Sequence, residues 1–330
     1  MSTHSDNTID GTPIPTLDDI AGQHMALIPW VARTPIFEKH DFPTLEDTPI
    51  TFKFELLQAS GTFKARGAFS NILALTDSER EAGVTCVSAG NHAVAVAYAA
   101  HRMQVGAKVV IIKNASPARV ELCRRYGADV VFAENVAEAF EVVRRVEAEE
   151  GRVFIHPFNG YNTVLGTATL GYEWASQAPD LDAVIIPIGG GGLAAGVSTA
   201  MRLANPSLHV YGVEPEGSDV MKRSFEANHT VKMGAMQGIA DSLMAPHTEQ
   251  YSYELCRRHI DEIVTVSDDA LRDGMRLLFS EMKLAVEPAC AAATAALLGP
   301  LRERLQGKRV GVLLCGTNTD TQTFLRHISA

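Results

Sequence analysis

The sequence predicts an α/β protein of two lobes, each a mostly parallel sheet flanked by helices. Three observations predict it. Short apolar runs alternate with helical runs of about ten to fifteen residues, the pattern of βαβ units. The alternation comes in two sets, one ending near Ile155 and one starting near Ala183. Several of the apolar runs end in turns rich in Gly, Asn or Ser, where α/β sheets place their ligands.

In chain order, residues 1–15 are polar and rich in Thr, Pro and Asp, which predicts a loose arm. Thr16 and the acids after it predict a helix from Leu17 to about Leu27. Ile50 to Leu56 is strand-like and leads through Ser60-Gly61-Thr62-Phe63-Lys64 into a helical run, Ala65 to Leu73. The first set follows: strand Thr85–Ser88, helix Asn91–Met103, strand Lys108–Ile112. A helix opened by Ser116-Pro117 and stopped at Gly127 follows, then strand Asp129–Ala133, helix Glu134–Glu150 and strand Val153–Ile155. The second set has strands Ala183–Ile188, His209–Glu214, Glu262–Val266 and Arg309–Leu314. Ala183 to Met201 is uncharged, yet Pro187 and four successive glycines break it into strand, turn and helix rather than a membrane span.

Composition narrows the function. A net charge of −10 excludes a sequence-independent grip on nucleic acid or anionic lipid, and leaves room for one local anion pocket. Five scattered cysteines with no CxxC pair give neither a disulfide framework nor a zinc site and suit a reducing compartment. The N-terminus lacks the charged and apolar regions of a signal peptide, so the expected location is cytoplasmic.

Four stretches carry chemistry. Lys64 stands where a strand hands over to a helix; the dipole and partial burial there favour the neutral amine that a Schiff base requires. Its bland alternative is a solvated first-turn lysine. Gly189-Gly190-Gly191-Gly192-Leu193 lies between a strand and a helix and reads as a phosphate cradle, or as a tight packing turn. Gly189, Gly191 and Ala194, with Glu214 about twenty residues on, also outline a dinucleotide site, and so an NAD-dependent oxidoreductase. Ser88-Ala89-Gly90-Asn91-His92 opens a helix and suits a carboxylate, or is a plain cap. Cys315-Gly316-Thr317-Asn318 ends the last strand, where a buried Cys is most often a small hydrophobe.

The segments SGTFKARGA (60–68), SAGNHA (88–93), GGGGL (189–193) and CGTN (315–318) occur in this order. Together they make the chain resemble the fold-type II pyridoxal-phosphate enzymes of the serine/threonine dehydratase group, which includes serine racemase. The resemblance spans roughly residues 20–328 and implies a tryptophan synthase β-like fold. It further implies a large cofactor-binding domain of residues 1–80 and 160–330, and a small domain of 81–159 that carries the substrate loop. It identifies Lys64 as the Schiff-base lysine, Phe63 as the residue against the cofactor ring and Asn91 as the partner of the ring hydroxyl. Gly189 to Leu193 become the phosphate loop, Cys315 faces the pyridine nitrogen, and Glu287 is a further cofactor-site residue. Ser88, Ala89, Gly90, Asn91 and His92 become the substrate-carboxylate loop, and Gly238 a backbone contact to the substrate.

The reaction so implied is α,β-elimination from a β-hydroxy-L-amino acid, giving a 2-oxo acid and ammonia. Threonine or serine is the first expectation, 3-hydroxyaspartate or 3-phenylserine the next, and serine racemisation follows. Ala89 stands where the racemase has a serine, and alanine cannot carry a proton. Glu214 and Ser218 are candidate ligands of a divalent cation, with Val220 where a carboxylate is expected, so the metal is left unassigned. A homodimer is expected, and the chain's end at Ala330 predicts an enzyme without an isoleucine-sensing domain. Arg119, Arg66 and His156 are candidates for touching a second substrate carboxylate, each with a structural salt-bridge or surface role as its alternative.

Overall fold

The computed structural model describes residues 7–40, 42, 45, 47–88, 90–113 and 115–330. The chain opens with β1 (Thr8–Ile9), β2 (Thr12–Pro13), α1 (Leu17–Leu27), β3 (Ile36–Lys39) and β4 (Ile50–Lys53). Next come α2 (Lys64–Leu73), α3 (Asp77–Ala82), β5 (Val84–Val87), α4 (Asn91–Arg102), β6 (Ala107–Ile112), α5 (Pro117–Arg125), β7 (Asp129–Ala133), α6 (Val136–Glu150) and β8 (Val153–Phe154). They are followed by α7 (Tyr161–Gln177), β9 (Ala183–Pro187), α8 (Gly192–Ala204), β10 (His209–Pro215), α9 (Val220–Ala227), α10 (Gln250–His259) and β11 (Glu262–Val266). The chain closes with α11 (Asp268–Met282), α12 (Pro288–Leu298), α13 (Arg302–Leu305), β12 (Val310–Leu313) and α14 (Thr321–Ile328).

Local chemistry accounts for many boundaries. Thr16 and Asp19 form a capping box at α1, and Thr76 and Glu79 form another at α3. Pro117 occupies the first turn of α5, and Gly127, at φ +75°, ends the turn after it. Ala183–Met201 is β9, a glycine turn and α8; among the described residues no helix is long and apolar enough to cross a membrane.

Two sheets result. The larger runs β11-β10-β9-β12-β4-β3, all parallel except the β3 edge, which pairs antiparallel with β4. The smaller, β7-β6-β5-β8, is parallel throughout. Strand β9 lies between β10 and β12, which enter the sheet in opposite directions of the winding. Such a switch point leaves a crevice at the carboxyl ends of the strands. The glycine turn follows β9 and Cys315 follows β12, so parallel pairing of these two strands brings both to that crevice. The cores do not divide where the sheets do. Ala65, Ala68, Phe69 and Ile72 of α2, with Leu27, pack into the core of the smaller sheet.

One expectation is corrected here. The strand predicted to run from Ile50 to Leu56 ends at Lys53, and two 3-10 turns, Glu55–Leu57 and Ala59–Gly61, follow. The reason is electrostatic: the Glu55 carboxylate turns into the core to meet Arg66 Nε at 2.6 Å.

Candidate active site

Lys64 is the first residue of α2 and sits where two chain segments are laced together. Phe63 N–H donates to the Cys315 carbonyl at 3.2 Å, and Thr317 N–H to the Gly61 carbonyl at 3.0 Å. Asn318 Nδ2 donates to the Ser60 carbonyl at 2.9 Å. The lysine segment is therefore positioned by the turn after β12. Burial brings the Lys64 ammonium down from 10.5 to about 8, the same direction as the dipole anticipated from sequence. Its amine donates to the Pro157 carbonyl and lies 5.0 Å from the Phe63 ring centroid.

The glycine turn needs its glycines. Gly191 has φ +102°, a Cβ at Gly190 would run into the Phe158 ring, and one at Gly192 would meet the Phe158 carbonyl at 2.5 Å. Thr248 Oγ1 donates to the Gly190 carbonyl at 3.0 Å, and Ser252 Oγ to that of Phe158 at 2.6 Å. So pinned, the turn presents the N-terminus of α8 to the crevice, with its first-turn N–H groups and positive dipole end.

The other predicted residues come together on the same cavity, of about 280 Å³, close to the lower end of the roughly 300–1,000 Å³ of small-molecule sites. Asn91 Nδ2 donates to Glu287 Oε1 at 2.7 Å, and Asn91 Oδ1 accepts from Asn318 Nδ2 at 2.8 Å. Burial pushes the Glu287 carboxyl up to about 7, although Arg119 pulls the other way. Contact with the Cys290 thiol, then burial, holds Cys315 far above the ordinary thiol range, so it faces the cavity as a neutral thiol. Ser88 Oγ accepts from Gly90 N–H at 3.0 Å, shaping the substrate loop. Ala89 lies outside the described residues.

Some predicted residues do something else. The His92 ring bonds to the Ile155 carbonyl at 2.8 Å, and burial with the nearby Lys64 charge lowers it to about 3. A neutral ring fixed in this way leaves only its backbone to face a ligand. Gly238 is exposed and stands apart from the cavity wall; Asp241 to Ala245, just beyond it, build that wall. Glu214 is buried and accepts the Met221 and Lys222 N–H groups at 2.9 and 2.8 Å, capping α9. Each oxygen of its carboxylate thus has a backbone partner in the α9 cap. Ser218 Oγ is occupied with the Leu243 carbonyl, and Asp219 pairs with Arg223 at 2.7 Å. Arg66 belongs to a buried ion-pair network, whereas Arg119 lines the cavity and His156 adjoins Lys64 in a smaller void.

Sequence reasoning missed Phe158 and Ser242. A Pro-Phe pair closing the last strand of the smaller sheet marked the first; the Asp241 stretch was noticed, but for its glycine.

The donor set fits one cofactor. A buried amine leaning to neutrality suits an aldehyde, a helix N-terminus suits its phosphate, the Asn91 amide its ring hydroxyl, and a neutral thiol its ring nitrogen. The family model described as pyridoxal-phosphate dependent enzyme matches residues 27–316. The chain belongs to this family.

Pyridoxal phosphate is its cofactor, and the fold is the fold-type II, tryptophan synthase β-like one expected from the sequence. The chain is 68% identical over 320 residues to phenylserine dehydratase of Ralstonia pickettii, covering 97% of this chain and 98% of that protein. It is 34% identical to the beta-hydroxyaspartate dehydratase of Paracoccus denitrificans, covering 93% and 97%. The structure of maize serine racemase superposes with a TM-score of 0.89 at 33% identity, covering 95% of this chain and 96% of that one.

Proposed function

We propose that this pyridoxal-phosphate enzyme dehydrates and deaminates a β-hydroxy-L-amino acid with an aromatic β-substituent, 3-phenylserine. The single observation that carries the reading is the cavity wall around Lys64. Beyond the glycine turn and the substrate loop it has an apolar side of Val87, Ile112, Phe158, Leu243 and Met244, and a polar side of Asp241, Ser242 and Glu287 whose guanidinium, Arg119, is already paired. An aromatic ring gains by burial there. The 68% identity to a phenylserine dehydratase supports this choice over threonine or serine.

The cofactor, when bound, supplies an electron sink for the bonds at Cα. Lys64 Nζ would hold it and, as a neutral amine near pH 8, can take the Cα proton. The N–H groups of the Ser88–His92 loop, at the α4 N-terminus, hold the substrate carboxylate. The α8 N-terminus would hold the phosphate, Asn91 the ring hydroxyl, and Phe63 and Leu193 the ring. Cys315, a neutral thiol, would leave the ring nitrogen without a full charge partner and so make the cofactor a moderate electron sink suited to elimination. The β-hydroxyl leaves as water, and hydrolysis of the released product restores it; 3-phenylserine thus gives phenylpyruvate and ammonia. The methyl side chain at position 89 carries no transferable proton, so elimination outruns racemisation.

In this reading residues 1–80 and 160–330 form the cofactor domain, and 81–159 the domain that brings the substrate loop. We also read the protein as a cytoplasmic homodimer. Five free, buried cysteines support the compartment, and Met25 and Ile28, exposed together at the end of α1, support the contact.

The test is keto-acid release from 3-phenylserine, threonine, serine and 3-hydroxyaspartate under one set of conditions. We expect kcat/KM for 3-phenylserine to lead by at least about tenfold, the order of discrimination a hydrophobic pocket supplies. A threonine value equal to or above it would overturn the substrate assignment.

A further inference from the structure

Arg119 stands in the first turn of α5, on the smaller sheet's side of the crevice, with its side chain 9% exposed. Its guanidinium adjoins the substrate loop: a Cβ placed on Gly90 would lie 3.2 Å from Nη1. A second carboxylate on a substrate held by that loop would meet this group first. Yet all three of its nitrogens are already engaged. Nη1 donates to Asp241 Oδ2 at 2.6 Å and Nη2 reaches Asp241 Oδ1 at 3.4 Å. Nη2 also reaches Glu287 Oε2 at 3.3 Å, and Nε donates to the Asn318 carbonyl at 3.1 Å.

We propose that Asp241 is a specificity-determining residue: by occupying Arg119 it denies the guanidinium to substrate and rejects dicarboxylic β-hydroxy amino acids. Specificity gained by repulsion needs an arranged charge at the unwanted group's position, and two carboxylates already flank this cation. A dicarboxylate entering the cavity would bring a third, with no free N–H fork to receive it. Glu287 is buried and shared with Asn91, so it cannot swing away, whereas Asp241 sits on the exposed rim. Asp241 is therefore the member whose charge can be removed without orphaning a buried group. The same bridge also ties α5 to the 3-10 turn at Asp241–Leu243 and to the start of α12.

This inference rests on the reading of the chain as a β-hydroxy amino acid dehydratase, and binding separates the two. Succinate, a dicarboxylate that cannot react, is titrated calorimetrically into the holoenzyme, with propionate as its monocarboxylate control. Asp241→Asn and Asp241→Ala should each bind succinate at least about tenfold more tightly than the wild type, with propionate unchanged. The ratio of kcat/KM for 3-hydroxyaspartate over 3-phenylserine should rise about ten- to a hundredfold. Adding Arg119→Gln to Asp241→Asn should abolish both gains, because the freed cation is then gone. Unchanged succinate affinity in both Asp241 variants, or a gain that survives in the double variant, would overturn the proposal. A wild type that turns over no hydroxy amino acid would overturn the dehydratase reading instead and leave the succinate result to stand or fall by itself.

Discussion

Two buried clusters of ionisable groups lie on either side of the α2 N-terminus, and they are built on opposite principles. Behind the helix, Lys53, Glu55, Arg66 and Glu173 have side chains at most 1% exposed and pair at 2.5, 2.6 and 3.1 Å. Burial works against charge on Arg66, yet Glu55 and Glu173 raise it above its ordinary value; burial pushes Glu173 up, yet Arg66 and Lys53 bring it below. Two cations and two carboxylates face one another, and only at Lys53 does burial still win, holding it below its ordinary value despite Glu173. In front of the helix, Lys64 finds only a carbonyl, His92 and His156 fall to about 3 and 4, and Glu287 rises to about 7. There burial outweighs compensation: Glu287 has Arg119 as a counter-charge, yet each group is still shifted toward its neutral form. Compensation makes a rigid support; its shortfall makes groups that can gain or lose a proton at neutral pH.

The largest expected effect comes from removing the amine at the front. Lys64→Ala should lower turnover by at least about 10⁴-fold and abolish the visible absorption of the lysine-bound cofactor, read in a spectrum of the purified protein. A variant that kept either would break the contrast at its centre.

Carboxylate-to-amide changes then compare the two clusters directly. Glu173→Gln leaves Lys53 and part of Arg66 buried without a counter-charge and should cost about 3–5 kcal/mol in urea unfolding of the holoenzyme. Glu287→Gln replaces a group already close to neutral and should cost about 1 kcal/mol or less. Equal losses would mean that the cavity is as fully compensated as the network.

The smallest effect is a shift in pH. The deprotonated amine is the nucleophile, so reactivity is lost as pH falls through the lysine's own pKa. Recombination of cofactor-stripped protein with pyridoxal phosphate should therefore level off above about 8, not near the 10.5 of an ordinary lysine. Stopped-flow absorbance across pH 6–11 reads the midpoint, and a value near 10 would contradict burial of Lys64.

Helix starts and glycine turns were legible because their signals are local. Thr16, Ser116-Pro117 and Gly189–Gly192 each act within a few residues, and the structure uses each as read. The capping box at Thr76 was equally local but went unread. The antiparallel β3 edge gave no signal, since four residues carry too little alternation to reveal pairing direction. Gly238 misled because the residue type that permits a close backbone approach is also the one that fills an exposed turn at φ +138°.

By itself the sequence determined the α/β alternation, the order of the four motifs and hence the cofactor, since strand, turn and helix starts are specified by neighbouring residues. Only the tertiary structure decided what each buried charge does. Arg66 and Arg119 both stand in helix first turns, but the first meets Glu173 across 107 residues and the second meets Glu287 across 168. Burial and counter-charge are set by such distant partners, and they separate a guanidinium of the core from one that lines the cavity.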